Sequence, residues 1–274
     1  MSTDFDEAAF KAVEREGYSR VAETYADKTA NVTGQANETI LNSVDAKAGT
    51  HLLDVACGPG LLSALALKRG AIVNALDYSP TMVALARRLC PAAQTWEGDA
   101  ENLPFEDDHF DAVACNLGIL HFANPERAVT EAFRVLKDGG RYAFTCWTAP
   151  SVNPFMGLIL GSIQAHGTLD VDLPEGPPLF RFSDAAECRN VLKKAGFSEI
   201  DVTEAPLIWP FAIAEELVHE LPTSTARLGP LLEAQTQEAR GKIEQAITDG
   251  AKAFATESVI KIPSAILIAS GLKT

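Results

Sequence analysis

Between residues 51 and 147, short apolar runs alternate with stretches in which apolar side chains return every three or four positions. The first pattern suits strands covered on both faces, the second amphipathic helices. The runs predict strands over 51–56, 71–76, 93–97, 110–115 and 141–147. The stretches between them predict helices over 60–69, 80–89 and 125–136. Ser79 is placed to cap the second of these, with Pro80 at its first helical position. Gly70 closes the first helix, and Asp138-Gly139-Gly140 the third. Strands and helices in strict alternation predict a parallel sheet with right-handed crossovers and helices on both faces.

The flanks follow other rhythms. Residues 5–31 are helical and amphipathic, with Phe10, Val13, Tyr18, Val21, Ala22 and Tyr25 on one buried side and Gly17 dividing them into two helices. A further helix over 33–44 turns Ile40 and Leu41 inward. After Trp147 comes a stretch, 148–181, in which Pro150, Pro154, Pro174, Pro177 and Pro178 interrupt apolar residues such as Phe155 and Met156. It reads as a short helix and a loop over the sheet edge. A helix over 183–195 stops at Gly196. A sixth strand falls within 197–208, residues 211–258 are mostly helical, and 259–272 is a final strand. The expected division is therefore a helical cap at 1–45 and an α/β domain made of 46–210 and 259–274. An insertion at 148–181 and a detachable helical lid at 211–258 complete it.

Candidate chemistry gathers where strands end. Asp54 stands at the end of the first predicted strand, just before Gly58-Pro59-Gly60. Glycines there make a tight turn without Cβ atoms, so a ligand can approach the backbone. The same residues also fit an ordinary strand-to-helix corner. Asp77, Asp99 and Asn116 occupy equivalent positions after the second, third and fourth strands. Ligands of such sheets bind outside the carboxyl ends of the strands.

Composition acts chiefly by exclusion. The 274 residues carry a net charge of −14 and no basic cluster, which argues against nucleic acid or an anionic membrane face as partner. Five cysteines with no CxxC pair favour a reducing compartment over a disulfide frame, and no metal site is expected. Met1 to Phe10 is acidic and lacks a secretory pattern, and no run reaches the ~20 apolar residues that span a bilayer. The expectation is a cytoplasmic protein.

Taken together, the motifs resemble those of the class I S-adenosylmethionine-dependent methyltransferases, in particular the ubiquinone- and menaquinone-biosynthesis-like group. Leu53-Asp54-Val55-Ala56-Cys57-Gly58-Pro59-Gly60 resembles the first motif, Asp77-Tyr78-Ser79-Pro80-Thr81-Met82 the second, and Gly98-Asp99-Ala100-Glu101-Asn102-Leu103-Pro104-Phe105 the third. Phe110-Asp111 resembles the start of the fourth strand, and Arg134 to Gly140 the turn before the fifth, although the family more often has Pro where this chain has Asp138. The matches cover about residues 18–148 and the closing strand. The resemblance implies a Rossmann-like, doubly wound sheet of seven mostly parallel strands with the last antiparallel.

It also implies roles. Asp54, Ala56, Cys57, Gly58 and Gly60 would hold the methionine end of the cofactor, and Asp77 both ribose hydroxyls. Tyr78 and Met82 would pack on the adenine, and Asp99, Ala100 and Glu101 would meet its polar edge. Asn116 and Leu117 would form the floor, with Tyr25 closing over it. For the acceptor, His121 is the candidate base or orienting group. Tyr18, Trp147, Phe155 and His166 are further pocket candidates. The implied reaction is in-line methyl transfer to a small, partly apolar acceptor, with S-adenosylhomocysteine as product. Two alternatives stay open: another S-adenosylmethionine chemistry, and nicotinamide-dependent dehydrogenation. Against the latter, Ser63 stands where a third glycine belongs. Oligomeric state is unassigned.

Overall fold

The computed structural model describes residues 5–274, so the first four residues of the acidic start lie outside the described residues. Seven strands form one sheet: β1 (His51–Val55), β2 (Ile72–Asp77), β3 (Gln94–Glu97), β4 (Phe110–Cys115), β5 (Leu136–Trp147), β6 (Ser198–Phe211) and β7 (Ile260–Leu272). Their order is β3-β2-β1-β4-β5-β7-β6. The first five pair in parallel, and β7 runs antiparallel between β5 and β6. This is the doubly wound sheet with a reversed last strand that the alternation and the motifs imply.

Why the sheet needs two covering layers is visible in β1. Leu52 joins one apolar core, while its neighbours Leu53 and Val55 join another on the opposite face. Successive strand residues point to opposite faces, so a strand apolar at every position is stable only when both are covered. Helices α1 (Glu7–Asp27), α2 (Thr29–Thr33) and α3 (Asn37–Ser43) precede the sheet. Between strands run α4 (Leu61–Lys68), α5 (Pro80–Leu89), α6 (Pro125–Val135), α7 (Pro154–His166) and α8 (Ala185–Ala195). Helices α9 (Ala214–Ser224), α10 (Leu228–Glu233) and α11 (Gln237–Lys252) fill the link from β6 to β7. The second core takes its helical residues from α6 and α8. The first takes them from α2, α3, α4, α7 and the last three helices. The chain steps outward from β1 to β3, then returns to β4, so the crevice between the carboxyl ends of β1 and β4 is the topological switch point.

Several expectations change. Gly17 does not divide the first helix: α1 runs unbroken through it, and a Cβ at Gly17 would lie 3.3 Å from that of Ala226. Close approach, not a break, accounts for that glycine. Val13 is exposed at 39 %, while Glu14 is buried in its place. β5 begins at Leu136, so Asp138-Gly139-Gly140 lies inside the strand, where the register with β4 shifts. α7 packs on α11 and β7, one strand in from the sheet edge. The segment expected to detach as a lid does not stand free: Ile243, Ile247 and Ala251 of α11 are fully buried in the main core.

Gly60 illustrates how the turn is held. Its φ of +93° is left-handed, and an added Cβ would lie 3.2 Å from both Ala86 Cα and Cys90 Sγ. The glycine thus serves α4–α5 packing rather than the ligand face. Gly60→Ala is expected to cost about 2 kcal/mol from the positive φ and the crowding, read as a lower midpoint in urea unfolding.

Candidate functional site

A solvent-open cleft of about 760 Å³ lies at the carboxyl ends of β1, β2 and β4, beneath α1. The backbone marks the spot. Ala56, just past β1, and Leu117, just past β4, both have φ of +55°, a conformation that L-residues adopt at a cost. Both line the cleft.

Asp77 ends β2 and is buried. Its Oδ2 accepts from the Gly58 amide at 2.8 Å and its Oδ1 from the Ser79 amide at 2.9 Å. One carboxylate therefore ties the glycine turn to the start of α5, whose cap Ser79 accepts from the Met82 amide. Burial pushes the Asp77 carboxyl up, and the two amides pull the other way. A carboxylate offers about four acceptor positions, so two are left for a ligand. Tyr78 lines the cleft with the Arg15 guanidinium 5.5 Å above its ring, and Met82 lines it while packing against α1.

Asp99 and Glu101 face the same cleft, but neither stands alone. Lys11 of α1 reaches both, at 2.8 Å and 2.6 Å. Asp99 Oδ1 also accepts from the Glu101 amide, and Glu101 Oε1 from the Asn124 amide. Ala100 lies between them on the cleft wall. Asn116 spends its amide donors on Thr33 O and Asn37 Oδ1 and accepts from Thr145, so it fastens the N-terminal helices to the end of β4.

Asp54 sits apart from Asp77 and Asp99. It lines a smaller space of about 340 Å³ with Cys57, which adjoins the cleft through Tyr25, Ala56, Gly58 and Asn116. Its Oδ2 accepts from the Ser63 hydroxyl at 2.6 Å. Burial pushes this carboxyl up to about 7, the Ser63 contacts opposing.

His121 follows β4 in a short helical turn and is held at both nitrogens. Nδ1 lies 2.8 Å from Glu14 Oε2, and Nε2 lies 2.6 Å from the Tyr18 hydroxyl. Burial alone would raise the Glu14 carboxyl, but His121 and Arg227 beside it hold it below its ordinary value. Glu14 is thus a carboxylate. Nδ1 donates to it, and in a neutral imidazole Nε2 is then left to accept from Tyr18. Arg227 Nε donates to the other Glu14 oxygen at 2.5 Å. Burial pushes the Tyr18 hydroxyl well above its ordinary value, so it stays a neutral donor.

Beyond this row lies a second cavity of about 660 Å³, walled by Trp147, Phe155 and Trp209. The two cavities share Tyr18, Tyr25, Leu117 and His121 as a common wall. His166 is not part of either: it lies exposed at the end of α7. Lys11, Glu14 and Arg15 also line the cleft, and Trp209 and Arg227 the second cavity, although no sequence motif marks them. One signal was present, since Lys11, Glu14, Arg15 and Tyr18 stand at i, i+3, i+4 and i+7 on one helix face. For Arg227, 213 positions from Glu14, there was none.

Among the described residues no helix is long and apolar enough to cross a membrane, and no group of three or more His, Cys, Asp or Glu residues is placed to hold a metal ion.

A family model described as a methyltransferase domain matches residues 53–144. The demethylmenaquinone methyltransferase of Thermus thermophilus is 35% identical over 173 residues, 56% of this chain and 76% of that protein. The demethylmenaquinone methyltransferase of Renibacterium salmoninarum is 36% identical over 116 residues, 42% of this chain and 49% of its own length. The chain spans about half the length of several such curated relatives. Among solved structures, phosphoethanolamine N-methyltransferase 2 of Haemonchus contortus shares the fold with a TM-score of 0.56 at 18% identity, over 95% of this chain and 60% of that one. Fold, motifs and relatives agree, and the chain belongs to the class I S-adenosylmethionine-dependent methyltransferase family.

Proposed function

We propose that the cleft binds S-adenosylmethionine and that the protein transfers its methyl group to a small, partly apolar acceptor in the second cavity. The observation that carries this is the common wall: Tyr18, Tyr25, Leu117 and His121 border both spaces, so a methyl donor in one can face an acceptor in the other. The residues present suit the cofactor. Asp77 keeps two acceptor positions for a ribose diol, and the bare Gly58 backbone leaves room for the amino-acid tail. Asp54 supplies a buried carboxylate for an ammonium. When bound, the sulfonium supplies an electrophilic methyl: the acceptor's lone pair forms the new bond to carbon as the carbon–sulfur pair leaves with sulfur.

The protein's own part is positioning and proton transfer. Tyr18 hands a proton to His121 Nε2 as it takes one from the acceptor, and Glu14 stabilises the imidazolium that results. Arg227 holds Glu14 ionised. The apolar walls of the second cavity keep water from the methyl. The buried, unpaired cysteines and the acidic surface support a cytoplasmic setting without nucleic-acid partners.

Calorimetric titration with S-adenosylhomocysteine tests the reading, and its pH dependence carries extra information. Asp54 is neutral below about 7 and ionised above it. A ligand ammonium favours the ionised form, so binding expels a proton and affinity rises with pH. The expected gain is up to about tenfold per unit below pH ~7, levelling above. A flat profile would remove Asp54 from the ammonium site; absence of binding would remove the proposal.

A further inference from the structure

Resting on the cofactor reading above, we propose that Lys11 of α1 is a specificity-determining residue that reads the adenine base. It donates to a ring nitrogen beside the exocyclic amino group, while Asp99 accepts from that group. The placement follows from strand order. Along β1, β2 and β3 the strand ends lie side by side, so a ligand with its tail at Gly58 and its ribose at Asp77 carries its base toward the end of β3. Asp99 and Glu101 follow β3 and line the cleft there. The cleft face of α1 divides in the same way. Glu14 and Tyr18 meet His121 after β4, whereas Lys11 and Arg15 meet the acidic residues at and after the end of β3. Arg15 is drawn to Glu97 and the Tyr78 ring, and Lys11 to Asp99 and Glu101.

The chemistry comes from a donor count. An ammonium has three N–H groups and no acceptor. Lys11 Nζ lies 2.8 Å from Asp99 Oδ2 and 2.6 Å from Glu101 Oε2, which takes up two of them. Burial alone would lower this ammonium, but the two carboxylates hold it above its ordinary value, so it stays charged and can only donate. Its side chain is 21 % exposed and lines the cleft, so water can meet the third N–H. A ligand that fills the cleft displaces this water. A charged donor then left unpaired would cost more than one hydrogen bond gains, so a tight ligand must bring an acceptor.

Adenine brings one on either side of its amino group, at N1 and N7. Asp99 is matched to the amino group itself. Its Oδ1 accepts from the Glu101 amide and its Oδ2 from Lys11, which leaves about two of its four acceptor positions open. Asp99 and Lys11 thus present an acceptor and a donor side by side, the complement of adenine's own donor and acceptor. A strap that merely fastened α1 over the cleft would use the same ion pairs but would be indifferent to the base.

That difference is the test. Calorimetry compares S-adenosylhomocysteine with its 1-deaza, 3-deaza and 7-deaza analogues, in each of which one ring nitrogen is replaced by C–H. The titrations use the native protein, Lys11→Met and Lys11→Gln. Lys11→Met should bind S-adenosylhomocysteine at least about tenfold more weakly, the worth of one hydrogen bond from a charged donor. For the 1-deaza or the 7-deaza analogue, whichever lacks the nitrogen that Lys11 meets, the penalty should shrink to about twofold or less. For the 3-deaza analogue, altered on the far edge of the ring, the full penalty should persist. Lys11→Gln keeps an N–H donor near Asp99 and should recover part of the lost affinity. Equal weakening of all four ligands, or no weakening in Lys11→Met, would overturn the inference. So would a native protein that binds all four alike, a result that needs no variant to fold. If S-adenosylhomocysteine binds and this pattern is missing, the inference fails alone; if S-adenosylhomocysteine does not bind, the cofactor reading fails with it.

Discussion

Asp77→Ala is expected to weaken S-adenosylhomocysteine binding by at least about 100-fold, because the ribose would lose two charge-assisted hydrogen bonds of about 1.5–3 kcal/mol each. The same substitution strips the partner from two backbone amides, those of Gly58 and Ser79. Each amide left without an acceptor costs about 1–3 kcal/mol, so the unliganded protein should also unfold at lower denaturant. Asp77→Asn separates the effects. One carbonyl oxygen still serves an amide, while the new N–H₂ faces the other, so stability recovers in part and affinity much less. Calorimetry and urea unfolding on both variants check this. Unchanged affinity in Asp77→Ala would move the nucleoside out of the cleft.

The second large effect concerns His121. His121→Ala is expected to lower kcat about 100- to 1,000-fold on an acceptor that must lose a proton, within the range that general-base catalysis supplies. Affinity for S-adenosylhomocysteine should change little, since the proposed cofactor contacts lie on Asp54, Asp77 and the Gly58 turn. Added imidazole should restore part of the rate to His121→Ala, as a base filling the space between Tyr18 and Glu14. Glu14→Gln should lower kcat about tenfold by loosening the imidazole and removing the charge behind it, with KM nearly unmoved. If His121→Ala turns over at the original rate, His121 is a packed side chain and the acceptor's proton leaves by another route.

Much of the candidate cleft could be read without coordinates, because it is made of local devices. A strand, a glycine turn and an acidic residue at the strand's end are consecutive in the chain. Ser79 and Pro80 mark a helix start in any context, and Ser79 does cap α5. Once strands and helices alternate, connection rules place strand ends side by side, so Asp77 and Asp99 share a cleft although they lie on separate segments. Asp54 shows how far such reasoning reaches. Its place at the end of β1 was legible, but its turn toward the smaller space beside Ser63 depends on how α4 packs.

Helix α1 shows the limit from the other side. Hydrophobic spacing put Val13 inward, but Val13 is exposed and the neighbouring Glu14 is buried. A carboxylate is buried only where partners compensate it, and here those partners are His121 and Arg227. No window on α1 contains either residue.

By itself, the amino-acid sequence determined the strand-and-helix alternation, the acidic strand ends and the family, because each follows from short-range pattern and backbone sterics. Tertiary structure alone decided which charges meet. It brought Lys11 to Asp99 and Glu101, set Glu14 between His121 and Arg227, and folded α9–α11 into the main core beside the aromatic pocket. The reason is physical: pairing and desolvation energies depend on distances in space, and residues more than 200 positions apart acquire a distance only when the whole chain has folded.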